Sequence, residues 1–261
     1  MEQGGLIVLF ALAAIAIVVI GVLVSQAQRR AAEARRAALL AIAEEYGLEF
    51  YPFGLDEPAR GFLESLFTGF GETNLGRFLD RFQGFAPFGQ GHTFKLTNLM
   101  VGRRNDSDWY AFDYLYHTTH STGKTTTTVP HPTGVVAVRV PLALPMLTMT
   151  PENLFHKIGN ALGMEELDFE LEEFNKRYFV RCSDRKMAYD LLHPRMIDYL
   201  MTKERRAWQI AGQFILLTKG GYYTPDEIRA TVQEIEGFMS LVPRYVEQDH
   251  GLPVIQASPL D

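Results

Sequence analysis

The chain has 261 residues, 47% of them hydrophobic, a net charge of −6 and a single cysteine, Cys182. That length supports one sizeable core with an appendage, and the lone cysteine excludes both an intramolecular disulfide and a cysteine-rich zinc site. The acid excess argues against nucleic acid as a partner, because sequence-independent binding needs a basic footprint that releases counterions.

From Gly4 to Val24 the sequence GGLIVLFALAAIAIVVIGVLV carries no charged side chain. As a helix it would be about 31 Å long, matching the hydrocarbon core of a bilayer, so residues 4–24 are expected to be a transmembrane helix in contact with lipid. A cleaved secretory signal is the competing reading, since Ser25-Gln26-Ala27 has the small residues of a cleavage site. The missing Lys or Arg in MEQ and the length of the apolar run favour the span. Arg29, Arg30, Arg35 and Arg36 follow it, and Glu2 is the only charged side chain before it. The positive-inside rule then predicts a single-pass protein of the plasma (inner) membrane, N-terminus outside and bulk of the chain cytoplasmic.

Residues 25–47, SQAQRRAAEARRAALLAIAEEYG, read as a basic juxtamembrane helix that stops at Gly47. LEFYPF follows as a first strand. Residues 54–102 are Gly- and Phe-rich; a helix is expected over Pro58–Thr68 and the remainder is expected to be irregular. WYAFDYLYHT alternates, setting Tyr110, Phe112, Tyr114 and Tyr116 on one face and Trp109, Ala111, Asp113 and Leu115 on the other. TGVVAVRVPLAL is a further strand. Beyond it come a helix ENLFHKIGNALG, strands LDFELE and KRYFVRCS, a helix RKMAYDLLHPRMIDYLMTK, strands AWQIAG and FILLTKG, and a final helix PDEIRATVQEIEGFMSLVPRYVEQ. Asp184 and Thr224 are positioned as N-caps, and Pro194 predicts a break near His193. Hairpins with interspersed helices predict an α+β domain with an antiparallel β-sheet and packed helices over residues 48–250, with 251–261 a flexible tail.

The stretch HTTHSTGKTTTTVPHP, His117–Pro132, contains a Gly-Lys-Thr triplet. A phosphate-binding loop needs a glycine five residues before Gly123, where Thr118 stands, and a helix after the lysine, where β-branched residues and prolines stand. The stretch therefore reads as a polar hairpin tip turning at Ser121–Lys124, with the threonines as its second arm. Its histidines, His117, His120 and His131, together with Asp113, are the candidate site residues. None of the compact zinc signatures links them, so no metal or other cofactor is assigned. Asp113 lies mid-strand among apolar neighbours and calls for a partner such as a Thr hydroxyl, an Arg or a backbone amide.

The ordered blocks AEEYGLEF, APFGQG, TNLMVG, WYAFDYLY, PLALPMLTMTPEN, EEFNKRYFV and AYDLLHPRMIDYL resemble a family of bacterial single-pass membrane-anchored proteins that carries a domain-of-unknown-function label. The likeness covers most of residues 37–220. It implies a membrane-anchored domain and brings no catalytic residues with it. The sequence thus points to a non-enzymatic binding or scaffold module with a protein or peptide partner. The alternatives are a membrane-anchored hydrolase using Asp113 with His117 or His131, and a membrane-complex subunit whose span packs through Ala13, Ala14, Gly21 and Ser25.

Overall fold

A computed structural model describes residues 2–55, 74–151, 163–253 and 259–260. The chain divides into two compact units, Met1–Ala41 and Ile42–Asp261. The first belongs to helix α1 (Glu2–Tyr46). Between Leu12 and Val24 its described apolar side chains are exposed, Ile17 at 69% and Val18 at 64% among them. By length and composition it is the one helix among the described residues able to cross a membrane. No apolar stripe faces a polar one, as a lipid-facing helix requires.

In the second unit the last turn of α1 buries Ile42 and Ala43. Gly47, at φ 69°, ends the helix as expected, with the Leu48 N–H reaching back to the Ala43 carbonyl at 2.7 Å. Tyr46 carries the Arg104 guanidinium 4.7 Å from its ring centroid, and Glu45 accepts from Arg229 at 2.9 Å.

The sheet is antiparallel throughout. Its strands are β1 (Glu49–Tyr51), β2 (His92–Arg104), β3 (Ser107–Ser121), β4 (Thr126–Thr150), β5 (Glu165–Leu167), β6 (Phe179–Cys182) and β7 (Ala207–Gly220). They run in the order β1-β2-β3-β4-β6-β5, and β7 also pairs with β4. Strand β4 is the axis of the domain. Thr126–Thr133 pairs with β3 and Gly134–Arg139 lies between β3 and β7; past an irregularity between Arg139 and Leu144, Leu147–Met149 lies between β6 and β7. Asn105 and Asp106, both at positive φ, make the two-residue turn from β2 to β3.

One face carries the predicted aromatic row. Tyr110, Phe112 and Tyr114 join Val135, Ala137 and Leu216 beneath Phe78, Phe82, Phe85 and Phe88. The phenylalanines come from α2 (Asn74–Asp80) and the turns after it, with Phe82 stacked on Phe88 at 5.2 Å. Elsewhere α6 (Pro225–Ser240) buries Ile228, Val232, Ile235 and Phe238, and Phe238 meets Trp208 at 5.0 Å.

The α+β class and antiparallel sheet agree with the sequence reading; several elements do not, beginning with His92–Arg104, which was expected to be irregular and is strand β2. LDFELE is not a strand: only Glu165–Leu167 pairs, and Glu172–Arg177 forms α3, with Glu172 and Glu173 at its start and Lys176 and Arg177 at its end. That charge order suits the helix dipole better than a sheet edge. AWQIAG and FILLTKG are one strand, β7, in which Gly212 at φ 54° absorbs the bend. The predicted break is present: α4 (Arg185–Leu191) ends before His193, and α5 (Pro194–Met201) begins at Pro194. The last helix is also divided, into α6 and α7 (Arg244–His250), at Pro243. Of residues 251–261, expected to be a flexible tail, 251–253 and 259–260 are described, and they make hydrogen bonds at two places. Leu252 N–H bonds the Pro141 carbonyl at 2.8 Å, while Arg81 donates to the carbonyls of Pro259 and Leu260. The helices expected at Pro58–Thr68 and Glu152–Gly163 fall outside the described residues or nearly so.

Candidate functional site

The hairpin turns where the sequence predicts. Thr122 N–H bonds the Thr125 carbonyl at 3.1 Å, Gly123 takes φ 82°, and strand β4, not a helix, follows Lys124. From Asp108↔Arg139 to Ser121↔Thr126 the β3–β4 register is uninterrupted. Strand parity therefore decides which side chains can meet. Tyr116, Thr118 and His120 share a face with His131, which lies opposite Tyr116. Asp113 and His117 belong to the other face.

This separates the candidates. Asp113 and His131 stand on opposite faces of the sheet. Asp113 and His117 share a face but are four residues apart, about 13 Å along a strand, too far for proton transfer. The hydrolase arrangement expected as an alternative is therefore not formed. Among the described residues no three His, Cys, Asp or Glu side chains gather as metal ligands.

Each candidate has local partners instead. Asp113, 5% exposed, accepts from Asn98 Nδ2 at 2.7 Å. Asn98 sits at φ 53° within the irregular register between Thr97 and Met100, and its N–H bonds the Pro52 carbonyl at 3.2 Å. This side-chain amide was not among the partners named from sequence, because a bulge that aims Asn98 at Asp113 leaves no local signature. His131 stacks on Tyr116 at 4.7 Å with its Nε2 2.8 Å from Thr118 Oγ1, and His120 Nε2 lies 3.4 Å from the same hydroxyl. His117 Nδ1 is 3.2 Å from the Thr93 carbonyl. His92, which the sequence did not single out, pairs with His117 across the strands, the rings 6.4 Å apart.

A cavity of about 260 Å³ opens beside this hairpin, between Tyr116, His131, Pro132 and the segments Ala86-Pro87 and Lys219–Gly221. Among the described residues that line it, Lys219 is the one permanent cation, and it is engaged by Glu227 Oε1 at 2.6 Å. Desolvation pushes the Tyr116 phenol up. The cavity lining mixes aromatic, proline and glycine surface with His131, Thr133, Thr218 and Lys219.

Sequence reasoning also passed over a buried ionic cluster. Arg206 and Glu234 are 7% and 4% exposed, with Arg206 Nε donating to Glu234 Oε2 at 3.1 Å and Nη2 to Glu204. Glu234 Oε1 has no hydrogen-bond partner among the described residues. Burial, opposed by Arg206, raises the Glu234 carboxyl to about 7. Tyr223, pushed up by complete burial, lies beneath Arg206 at 5.6 Å. The only signal in sequence was a glutamate on the apolar stripe of α6.

No family model and no curated protein matches this sequence, so the bacterial family suggested by its short blocks is not assigned. Among solved structures the chain is similar to the crystal structure of the mycobacterial trehalose monomycolate transport factor A, TtfA. The TM-score is 0.51 and the identity 12%, over 82% of this chain and 97% of that one, a likeness of fold.

Proposed function

We propose that this chain is a membrane-anchored, non-enzymatic binding module that serves a membrane transport assembly, with its α+β domain in the cytoplasm. The observation that carries the reading is the pairing of a lipid-compatible helix with a domain whose polar candidates are dispersed over two sheet faces instead of converging. The fold shared with a protein described as a transport factor supports the assembly role. The arginines after the span support the orientation.

Orientation is tested by placing a cysteine at the exposed hairpin tip, Lys124→Cys, and labelling with a membrane-impermeant maleimide; Cys182 is buried and stays silent. Labelling only after permeabilisation is expected, and labelling of intact cells overturns the orientation. The module reading is tested by crosslinking in native membranes. Capture of a membrane-protein complex supports it, whereas turnover of a substrate by the purified chain, lost on Asp113→Asn, refutes it.

A further inference from the structure

We propose that the cleft between the loop Asp168–Leu171 and the α4–α5 break docks a basic segment with apolar anchors, presented by a membrane partner. The proposal rests on the membrane-module reading and names the chemistry of its ligand. The cleft has a volume of about 580 Å³, inside the range of roughly 300–1,000 Å³ typical of ligand sites. The apolar part of its lining comes from Phe169, Leu171, Tyr189, Leu192 and Ile197. Leu171 and Tyr189 are each 37% exposed, which leaves apolar surface that a partner would remove from water.

Both walls are preformed. Asn175 clamps the backbone of Phe169 as a paired strand would, donating from Nδ2 to its carbonyl at 2.7 Å and accepting from its N–H at 2.9 Å. The Phe169 ring meets Phe174 at 5.4 Å and Tyr189 at 5.2 Å edge-on, and the Tyr189 hydroxyl donates to the Asp168 carbonyl at 3.1 Å. Across the cleft, His193 caps α5 by accepting from the Met196 N–H on Nδ1 and donates from Nε2 to the Leu241 carbonyl at 3.0 Å. This fixes the imidazole and the break it sits in, so little order remains to be imposed on binding.

Charge selects the occupant. Asp168, Glu170 and Asp198 line the cleft and make no ion pair among the described residues, and Glu165–Glu173 holds six carboxylates in nine positions. Arg185 lies 5.5 Å over the Tyr189 ring, and Arg195 follows the lining residue Pro194 in the chain. Such a rim attracts Lys and Arg and repels acidic segments. Lys- and Arg-rich segments are what membrane proteins present at their cytoplasmic face.

The test uses the full chain in phosphatidylcholine nanodiscs, with empty discs as control. It is titrated with two fluorescein-labelled helical peptides that share a leucine stripe and differ only in carrying Lys or Glu elsewhere. The Lys peptide is expected to bind and the Glu peptide not. Leu171→Ser, and separately the triple change Asp168→Asn, Glu170→Gln and Asp198→Asn, are each expected to weaken the Lys peptide by about tenfold or more. All four positions are exposed, so unchanged unfolding profiles are expected to accompany these losses. Equal binding of both peptides, no binding, or binding indifferent to both variants overturns the proposal. If the peptide fails while crosslinking in native membranes still captures a complex, the cleft is wrong and the module reading stands.

Discussion

Replacing Glu234 by Gln is expected to flatten the pH dependence of stability. Burial raises the Glu234 carboxyl from 4.5 to about 7. Between those values the folded protein holds a proton that the unfolded chain has released, so the stability linked to this group is fully present below 4.5 and is lost as pH rises towards 7. A difference of about 2.5 pH units at 1.36 kcal/mol each amounts to roughly 3 kcal/mol. The substituted amide would keep an acceptor for Arg206 Nε and would not titrate. The assay is urea unfolding of the detergent-solubilised full chain at pH 5, 6, 7 and 8. Buried Trp208, packed on Phe238 beside this helix, reports through its fluorescence. The native protein should lose several tenths of its midpoint denaturant concentration across that range, and the variant should lose much less. A variant with the native slope, or one less stable than the native protein at pH 8, would show that the ionised Arg206–Glu234 pair is the stabilising form and refute the reasoning.

Other perturbations follow from the same geometry. Lys219 and the Thr224 backbone hold Glu227 down to about 2, so its contribution is present above 4.5 and is lost as pH falls towards 2; Thr224→Ala, which removes half of the capping box, should cost about 1 kcal/mol in the same unfolding assay. Asp113→Ala strands the Asn98 amide inside the sheet and should cost about 1–3 kcal/mol while leaving membrane association, measured by fractionation, unchanged. Gly134→Ala drives a Cβ to within 2.6 Å of Tyr223 Cδ2 and 2.8 Å of its backbone nitrogen, and should lower stability by about 1–3 kcal/mol as an overpacked core does. Ala14→Arg, in the middle of the apolar run Gly4–Val24, should reduce membrane insertion measured by alkaline extraction, since a central arginine costs about 2.5–3.5 kcal/mol to insert.

The sequence was most legible where structure is decided by near neighbours. The alternating Tyr110–Tyr116 row, the turn at Gly123, the caps at Asp184 and Thr224 and the break at Pro194 all rest on residues close to one another along the chain. Two misses were legible too. Asn105-Asp106 is a hairpin dipeptide, and Glu172-Glu173 with Lys176-Arg177 is charge ordered for a helix. The alternation of Leu167, Phe169 and Leu171 outweighed that charge order, yet Phe169 and Leu171 line a cleft instead of a sheet face. What could not be read is non-local. The Asn98–Asp113 contact depends on a bulge, and the docking of Pro259 depends on Arg81, 178 residues earlier. The candidate site suffered most, because its residues are close in sequence while strand parity sets them on opposite faces.

The long strand β4 has a consequence for biosynthesis. It binds β3, made just before it, but its other long edge waits for β7, so Gly134 finds Lys219 and Met149 finds Trp208 only after most of the chain has been synthesised. Until then β4 exposes an unpaired edge, the kind of surface on which nascent chains associate. The apolar helix is made before any of the sheet, so each nascent domain would spend that interval tethered to the membrane by it, and truncation before Ala207 should yield an aggregating fragment, not a smaller stable domain.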